Sequence, residues 1–335
     1  MRSLVVEEPR RVAWQEVPEP QRRFEREAIV RPLAVAACDL DLPMILGGTP
    51  FPLPIHLGHE CVGEVVEGPE GFAPGDRVII PFQISCGNCE RCRRGLTGNC
   101  ETVPPRSMYG FGAFGGDWGG MLSDLALVPY ADAMLVPIPE GVDPTTVASA
   151  ADNMPDGWRT VAPALAEVPA ADVLIVGGAG RSIALYAVDA ALALGAASVT
   201  YVDTDAERLG VAQTLGAQVV EGQPEQSLGT FPVTVDATAS PEGLVATLRL
   251  TEPGGRCTSI GQVAAEAALP LFELYSRDVH LHIGPGMARP AIPAILDLVA
   301  AGRLQPQLVT SATVAWEDAP QALLEPAIKL VISRI

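Results

Sequence analysis

Apolar and polar residues alternate in short runs through the first third of the chain, and glycine and proline separate the runs. Alternation with a period of two predicts β-strands. The predicted strands cover residues 4–7, 12–17, 28–31, 60–67 and 77–81. Many short strands joined by glycine and proline turns predict a barrel-like β domain.

The pattern changes near residue 170, where continuous apolar runs begin to alternate with longer helical stretches. Residues 172–176 form an apolar run that ends at a glycine, which is typical of a buried parallel strand. Further strands are predicted at 199–202, 219–220, 233–236, 257–260 and 279–283. Strands that alternate with helices predict a doubly wound parallel sheet.

Two local patterns predict where helices begin. Asp143 followed by Pro144 is typical of a helix N-terminus, and this helix is predicted to end near Asp152. Thr204 with Glu207 three residues later has the pattern of a capping box.

The last fifty residues return to the first kind of pattern. We predict a helix over 292–301 and strands at Val309 and Val314. A final strand at 328–332 is predicted to rejoin the first domain.

Composition restricts the functions that this chain can have. Its 335 residues suffice for two domains, and a hydrophobic content of 48% is typical of a globular protein. The net charge of −18 disfavours nucleic acid and anionic membranes as partners, because both require a basic surface. The first residues lack the apolar core of a signal peptide, and no apolar run is long enough to span a bilayer, so we expect a cytoplasmic protein.

Seven cysteines, an odd number, favour metal or thiol chemistry over a disulfide framework. Four of them form the box Cys86-x2-Cys89-x2-Cys92-x7-Cys100. Four thiolates at this spacing can surround one tetrahedral zinc and leave no vacant position, so the site would be structural. An iron–sulfur cluster is the alternative, because it also uses four cysteines.

A glycine-rich loop follows the first strand of the second half. Gly178-x-Gly180 matches the first two glycines of a dinucleotide-binding motif, although the third glycine is absent. Backbone amides of such a loop approach a pyrophosphate, which lies at the positive N-terminus of the next helix. Arg181 and Ser182 follow the loop and are further candidate cofactor-binding residues, with Arg181 supplying a positive charge.

Asp203 ends the second predicted strand of this half, about twenty residues after the loop. A carboxylate there can accept hydrogen bonds from the adenosine ribose and repels a 2′-phosphate. The sequence therefore favours NAD over NADP.

A second glycine-rich segment, residues 110–120, contains three large aromatic side chains: Phe111, Phe114 and Trp118. Glycine permits sharp turns and close approach, and the aromatic rings could line a pocket. A surface turn before a strand at 123–128 is the alternative, and the sequence leaves both open.

These motifs together resemble the zinc-containing medium-chain alcohol dehydrogenases over nearly the whole chain. The resemblance depends on Cys38 with Asp41, on Gly58-His59-Glu60, on the cysteine box, on Asp152 before Gly157-Trp158, and on the nucleotide-binding half. It implies a GroES-like catalytic domain, 1–152 and 287–335, and a Rossmann coenzyme domain, 153–286, with the active site between them. It also implies a homodimer or homotetramer.

The resemblance assigns roles to individual residues. Cys38, His59 and Asp152 would hold a catalytic zinc, Glu60 would be the neighbouring carboxylate, and Asp41 would orient His59. The chain's one lysine, Lys329, would pair with Glu60. Together with the cysteine box, this implies two zinc ions per chain.

Zinc with an open position polarises an alcohol oxygen, and a hydride then passes to the nicotinamide. We therefore expect an NAD-dependent oxidoreductase that acts on a primary or secondary alcohol or a polyol. Two departures bear on this expectation. Leu40 replaces the Ser or Thr that starts the family's proton relay, and Asp156 replaces a threonine near the nicotinamide. His56 or Asp156 could substitute in proton transfer.

The alternatives come from the same departures. A relative without the relay hydroxyl could be an NAD(P)H-dependent reductase of C=C or C=N bonds. A catalytically silent nucleotide-binding protein is the third hypothesis.

Overall fold

The computed structural model describes residues 1–261 and 266–335, which divide into two compact units. The first unit contains Met1–Pro155, Gly286–Ala301 and Thr310–Ile335. The second unit contains Asp156–Pro285 and Gly302–Val309. None of the helices in the described ranges has the length and hydrophobicity that crossing a membrane requires.

Strands and helices of the described residues are numbered in chain order. The strands are β1 (Arg2–Glu8), β2 (Arg11–Glu16), β3 (Ala28–Ala36), β4 (Ile55–His56), β5 (Glu60–Glu67), β6 (Arg77–Ile80), β7 (Ala126–Val128), β8 (Val136–Pro137), β9 (Asp172–Val176), β10 (Ser198–Asp203), β11 (Gln218–Glu221), β12 (Phe231–Asp236), β13 (Thr251–Ser259), β14 (His280–Ile283), β15 (Ala312–Ala315) and β16 (Leu330–Ser333). The α-helices are α1 (Asp41–Ile45), α2 (Glu90–Arg93), α3 (Ala131–Met134), α4 (Asn153–Glu167), α5 (Arg181–Ala193), α6 (Ala206–Leu215), α7 (Pro241–Arg249), α8 (Leu271–Ser276), α9 (Ala288–Ala300) and α10 (Ala319–Ala322). Short 3₁₀ segments cover Thr97–Asn99, Gly112–Gly115, Pro144–Ala151, Gln226–Leu228, Pro306–Leu308 and Trp316–Asp318.

The first unit is rich in β-structure, as the alternating pattern predicts. One sheet has the order β2-β1-β4, and a second has the order β15-β16-β3-β5-β6-β8 with β7 also paired to β3. The last strand, β16, is antiparallel to β3 with Val331 opposite Ala36, so the end of the chain rejoins the first domain as predicted. Buried side chains such as Leu4, Val30 and Ile80 form the core between these strands.

The second unit is built on a parallel sheet with the order β11-β10-β9-β12-β13-β14. Each neighbouring pair in this sheet is parallel. Residues 173–176 of the central strand β9 are buried, because helices cover both faces of such a sheet. This confirms the predicted doubly wound fold, in which ligands bind where the strand order reverses, at the carboxyl ends of the strands.

Three local predictions have different outcomes. Asp143 does cap a helical segment, since its Oδ1 accepts a hydrogen bond from the Thr145 amide at 2.9 Å, but the segment is 3₁₀. The capping box at Thr204 is wrong: Asp205 caps α6 by accepting a hydrogen bond from the Arg208 amide. The predicted strand at Val309 is also wrong, because that residue ends the turn after Pro306–Leu308.

Candidate active site

The four cysteines of the box lie together in the first unit, with their Sγ atoms within 4.8 Å of one another. The Thr102 hydroxyl donates to the Cys86 Sγ at 3.1 Å, and the Asn88 and Cys89 amides donate to the same sulfur. Burial raises the pKa of Cys86, but these donors lower it by a larger amount. The net pKa of Cys86 therefore lies below its ordinary value. A thiolate held by several donors is the form that binds a metal. The donor set therefore fits a closed tetrahedral zinc site.

A second cluster in the first unit contains Cys38, His59, Glu60 and Asp152, with one ligand atom of each within 4.8 Å of the others. His59 Nε2 lies 3.3 Å from Asp152 Oδ2, and Cys38 Sγ lies 3.6 Å from the same oxygen. Atoms about 2.0–2.3 Å from a tetrahedral zinc lie roughly 3.3–3.8 Å from one another. Both separations from Asp152 therefore fit ligands of one zinc ion, and Cys38 and His59 lie within 4.8 Å of each other.

The backbone brings these residues together from distant parts of the chain. Cys38 lies two residues after β3 and His59 lies immediately before β5, and these strands pair with Ala36 opposite Glu60. Asp152 directly follows the 3₁₀ segment Pro144–Ala151, which packs against both strands. The site thus depends on strand register rather than on a local sequence motif.

The imidazole of His59 is fully buried; its Nε2 lies 3.3 Å from Asp152 Oδ2 and its Nδ1 3.7 Å from Asp41 Oδ1, but neither contact has hydrogen-bond geometry. A buried polar group without a partner is unfavourable by about 1–3 kcal/mol, so such groups are rare and require a reason. A metal ion at Nε2 supplies that reason, since imidazole is a common zinc ligand.

The charges around His59 favour a cation. Burial raises the pKa of Cys38 well above its ordinary value, and the nearby charges of Asp152, Glu60 and Asp41 raise it further. Burial alone would lower the pKa of His59, but Asp41 and Asp152 raise it to about 9. A cluster that concentrates acidic groups away from water has the electrostatics of a divalent cation site.

Asp41 lies beside both proposed ligands. Its Oδ2 accepts a hydrogen bond from the Cys38 amide at 2.8 Å. Its Oδ1 faces His59 Nδ1 at 3.7 Å, which is longer than a hydrogen bond, and has no hydrogen-bond partner. Asp41 therefore fixes the backbone at Cys38 and places a negative charge next to the imidazole.

Glu60 and Lys329 form a completely buried ion pair. Lys329 Nζ donates to both carboxylate oxygens at 3.0 and 3.1 Å, and also to the Ala37 carbonyl at 2.8 Å. Burial raises the pKa of Glu60, and the lysine charge lowers it. The expected partner of Glu60 is thus present, and it compensates one of the acidic charges in the cluster.

The second glycine-rich segment packs on His59. A Cβ atom at Gly110 would lie 2.9 Å from His59 Nδ1, so only glycine permits this approach. The Phe111 ring lies 4.9 Å from the imidazole, measured between ring centroids, and the Phe82 ring lies 5.9 Å away. The segment therefore packs against the candidate site through Gly110 and Phe111, so it is more than a surface turn.

A cavity of about 410 Å³ lies at the carboxyl ends of the central strands in the second unit. Its lining includes Gly177, Gly178, Asp203, Thr238 and Ser240. A Cβ atom at Gly178 would lie 2.6 Å from the Thr238 Cα, so a glycine is required there. Helix α5 starts at Arg181, with Gly180 as its N-cap residue and Ser182 buried in its first turn. This is the position at which a pyrophosphate binds in a doubly wound fold.

The carboxylate of Asp203 already receives five hydrogen bonds. Its Oδ1 accepts from the Thr204 and Asp205 amides at 2.7 and 3.0 Å. Arg208 forms a bidentate pair with both oxygens at 2.7 and 2.8 Å, and the Tyr201 hydroxyl donates to Oδ2 at 2.6 Å. Burial raises the pKa of Asp203, but Arg208 and Tyr201 lower it to a net value below the ordinary one. A ribose hydroxyl could therefore bind Asp203 only by displacing one of these five donors.

Comparison with known proteins decides the family. The family model described as alcohol dehydrogenase GroES-like domain matches residues 25–140, and the model described as zinc-binding dehydrogenase matches residues 182–301. Geraniol dehydrogenase of Castellaniella defragrans is 31% identical over 83% of this chain and 82% of its own. The chain belongs to the zinc-containing medium-chain alcohol dehydrogenase family.

Two further members of this family illustrate the extent of the likeness. Alcohol dehydrogenase TADH from a Thermus species has the same fold with a TM-score of 0.89, at 30% identity over 99% of both chains. Glutathione-independent formaldehyde dehydrogenase of Pseudomonas aeruginosa is 34% identical over 66% of this chain, but the match spans only 58% of that enzyme.

The structure shows what surrounds the residues that bear on the departures from the family pattern: Leu40, His56 and Asp156. Leu40 is half-buried at the start of α1 and packs against the core of the first unit. His56 Nδ1 is 2.9 Å from the Ser3 hydroxyl, and burial lowers the pKa of His56. Asp156 pairs with Arg159 one turn later in α4.

Sequence reasoning missed several neighbours of the site. Asn153 Oδ1 lies 3.4 Å from Cys38 Sγ, and its position next to Asp152 was the only signal for it. Tyr201 and Arg208 hold Asp203, and the only signal for them was their closeness to Asp203 along the chain. Phe82 had no signal, since its contact with His59 depends on tertiary packing.

Proposed function

We propose that this protein is a zinc-dependent dehydrogenase that transfers a hydride between NAD and a primary or secondary alcohol, with the aldehyde or ketone as substrate in the reverse direction. One observation carries the proposal: a buried imidazole without hydrogen-bond partners lies beside a thiol and a carboxylate at separations that suit zinc. A relative with 31% identity over 83% of this chain is named geraniol dehydrogenase, which supports an alcohol as the substrate.

Cys38, His59 and Asp152 would hold the catalytic zinc, and the four cysteines of the box would hold a structural zinc. The catalytic zinc would supply Lewis acidity that polarises the substrate oxygen. The protein contributes the surroundings: Asp41 fixes the Cys38 backbone, Lys329 compensates Glu60, and Phe111 excludes water from the His59 ring. With zinc at the ligands and Lys329 at Glu60, the negative charges of the cluster would be balanced without a further cation.

The proposed cofactor is NAD, bound at the cavity of the second unit with its pyrophosphate near Gly178 and Gly180. Asp203 supports this choice because its charge disfavours a 2′-phosphate. A ribose hydroxyl that binds Asp203 would replace Arg208. Of the two side-chain donors to Asp203, Arg208 is the partly exposed one, at 13%.

A second candidate is supported by Leu40. An apolar residue at this position cannot carry a proton from the substrate oxygen, so a reductase of C=C or C=N bonds is the alternative activity for the same site. This candidate predicts turnover of NAD(P)H with enones or imines and none with alcohols.

We also propose that the enzyme is a cytoplasmic homodimer or homotetramer. None of its seven cysteines, all within the described ranges, forms a disulfide, which suits a reducing compartment. Among its exposed large hydrophobic side chains are Leu271, Phe272 and Tyr275 in α8 and Ile283 at the end of the edge strand β14. Exposed large apolar side chains support self-association.

Metal analysis together with a turnover assay tests the proposal. We expect two zinc ions per chain in the wild type, about one in Cys38→Ser with NAD-linked alcohol oxidation lost, and about one in Cys89→Ser. Cys257→Ser, which removes a buried thiol outside both clusters, should keep two. A single zinc that is unaffected by Cys38→Ser would refute the catalytic site, and inactivity with both cofactors on alcohols, enones and imines would refute an enzymatic function.

A further inference from the structure

We propose that Asn153 is a positioning residue of the candidate zinc site, because its side-chain amide donates a hydrogen bond to the Cys38 thiolate when the metal is bound. The inference rests on the proposed function and concerns the same site. Its basis is the contact between Cys38 Sγ and Asn153 Oδ1, which lie 3.4 Å apart.

This contact is enclosed within the first unit. Asn153 directly follows Asp152 as the first residue of α4, and it is only 1% exposed. Cys38 is buried as well. A buried polar group that gives up water needs a partner within the protein. The end of the amide that faces the sulfur is therefore part of the environment that decides whether a thiol or a thiolate is stable there.

The surroundings of Cys38 are acidic. Its Sγ lies 3.6 Å from Asp152 Oδ2, and Glu60 and Asp41 belong to the same buried cluster. Leu40, two residues after Cys38, has no donor to offer. Because the thiolate is the form that binds a metal, a negative sulfur among carboxylates gains from a hydrogen-bond donor in addition to the metal.

The amide of Asn153 faces the sulfur with its oxygen, which suits a thiol. In the structure the Cys38 thiol donates to Asn153 Oδ1. A thiol loses its proton when it binds zinc, and the amide oxygen would then face a negative sulfur. The oxygen and NH₂ ends of a carboxamide are nearly equal in shape, so a half-turn of the amide presents Nδ2 as a donor to the thiolate.

The cysteine box of the same chain already has donors of this kind. Cys86 Sγ accepts hydrogen bonds from the Asn88 and Cys89 amides and, at 3.1 Å, from the Thr102 hydroxyl. Such donors stabilise a thiolate and reduce the charge that it passes to a metal, which leaves the metal a stronger Lewis acid. Asn153 would give Cys38 the corresponding support.

Zinc retention tests the inference. The zinc content of the wild type and of Asn153→Leu is measured in zinc-buffered solutions, and Cys38→Ser identifies the zinc that belongs to this site. We expect Asn153→Leu to need a free zinc concentration about 10–100-fold higher to keep that zinc, as is usual when a metal ligand loses a hydrogen-bond partner. Thr160→Val, which removes a buried hydroxyl of the same helix that donates to the Gly157 carbonyl, should leave zinc retention unchanged.

Cobalt at the same site reports on the sulfur directly, since Co²⁺ is bound by the same kinds of ligand. A hydrogen bond lowers the energy of the sulfur electrons. Its loss in Asn153→Leu should therefore move the thiolate-to-cobalt absorption band to longer wavelength, whereas Thr160→Val should leave the band in place. Asn153→Ala removes the same amide without added bulk, and it carries both measurements if the leucine variant does not fold.

A structural role alone gives a different result. If Asn153 only supported the start of α4, its variants would unfold at lower urea concentration and would keep the zinc affinity and the cobalt band of the wild type. That result would overturn the inference and leave the dehydrogenase proposal intact. A wild type with a single zinc that is unaffected by Cys38→Ser would instead refute the catalytic zinc site, and the role of Asn153 with it.

Discussion

At the scale of single residues, the carboxylate of Asp203 is already filled by hydrogen bonds from its own protein. Its two oxygens receive five hydrogen bonds, although a carboxylate has only about four lone-pair directions. Gly177 is part of the same arrangement, because a Cβ atom there would lie 2.2 Å from the Asp203 Oδ2. The local balance between Asp203 and Arg208 therefore determines how strongly the site distinguishes NAD from NADP.

We expect Asp203→Ala to reduce the preference for NAD over NADP by about 1–3 kcal/mol, a factor of roughly 5–150. The physical reason is that the substitution removes the negative charge and releases Arg208, whose guanidinium can then meet a 2′-phosphate. The measurement is the ratio of kcat/KM for the two cofactors. Glu207→Ala, at an exposed acid next to Arg208 in α6, serves as the control, and an unchanged ratio in Asp203→Ala would contradict the role of Asp203.

Asp189 is a second residue whose charge has a measurable consequence. It is buried in α5, where its Oδ2 accepts a hydrogen bond from the Gln305 amide at 2.8 Å. Burial raises the pKa of Asp189 to about 6, and the amide bond only partly opposes this. Because the folded-state pKa is raised, the contribution of Asp189 to the free energy of unfolding is full below the pKa of the unfolded chain. This contribution is lost as the pH rises through about 6.

Asp189→Asn should therefore stabilise the protein above pH 6, because asparagine keeps an acceptor for Gln305 without a buried charge. We expect a gain in unfolding free energy of about 2–3 kcal/mol at pH 8 and about half of that at pH 5. Urea unfolding at the two pH values measures it. Asp297→Asn, at an exposed position, should give no gain, and equal gains for Asp189→Asn at both pH values would exclude titration as the cause.

At the scale of elements, the glycine-rich segment 110–120 connects backbone conformation to the metal site. Gly110 has φ +78° and leaves no room for a Cβ atom against His59 Nδ1 and the Gly58 carbonyl. Gly119, in the same segment, has φ +81° but nothing within 4 Å of its Cβ position. Both glycines thus have a left-handed backbone, but only Gly110 also lacks the space for a Cβ atom.

We expect Gly119→Ala to destabilise the fold by about 1–2 kcal/mol through its left-handed backbone alone, with two zinc ions retained. Gly110→Ala should be destabilised more, and it should lose zinc from the catalytic site because the new methyl group displaces His59. Denaturant unfolding and zinc content measure the two effects. Equal stability and equal zinc content in the two variants would show that Gly110 does not shape the site.

At the scale of the whole molecule, each unit contains its own chemistry. The first unit holds both candidate zinc clusters, and the second holds the glycine loop, Asp203 and the cavity. The second unit also carries the exposed apolar side chains around α8 and β14, where Phe272 is 81% exposed and Tyr275 is 84% exposed. A sheet edge with such neighbours favours pairing with another chain.

We expect the wild type to sediment as a homodimer or homotetramer. The double variant Phe272→Glu with Tyr275→Glu should shift it to a smaller species, because two charges would have to be desolvated at the contact. Phe24→Glu, at another exposed ring, is the matched control and should not change the assembly. A monomeric wild type in analytical ultracentrifugation would contradict the prediction.

The sequence alone determined the features that depend on neighbouring residues. The cysteine box was predictable because its spacing places four sulfurs within one loop, and the Rossmann sheet was predictable because buried strands alternate with helices. The resemblance named Cys38, His59 and Asp152, and the structure brings them together through the pairing of β3 with β5 and the 3₁₀ segment beside them.

Only the tertiary structure decided what surrounds those residues. The contact between Phe111 and Phe51 joins side chains sixty positions apart, and Phe82 reaches His59 from another segment. The capping box at Thr204 failed because Asp203 takes the Thr204 amide, a competition that depends on where β10 ends. Spacing along the chain determines local ligand sets, whereas burial, charge pairing and aromatic packing depend on distances that only the folded chain sets.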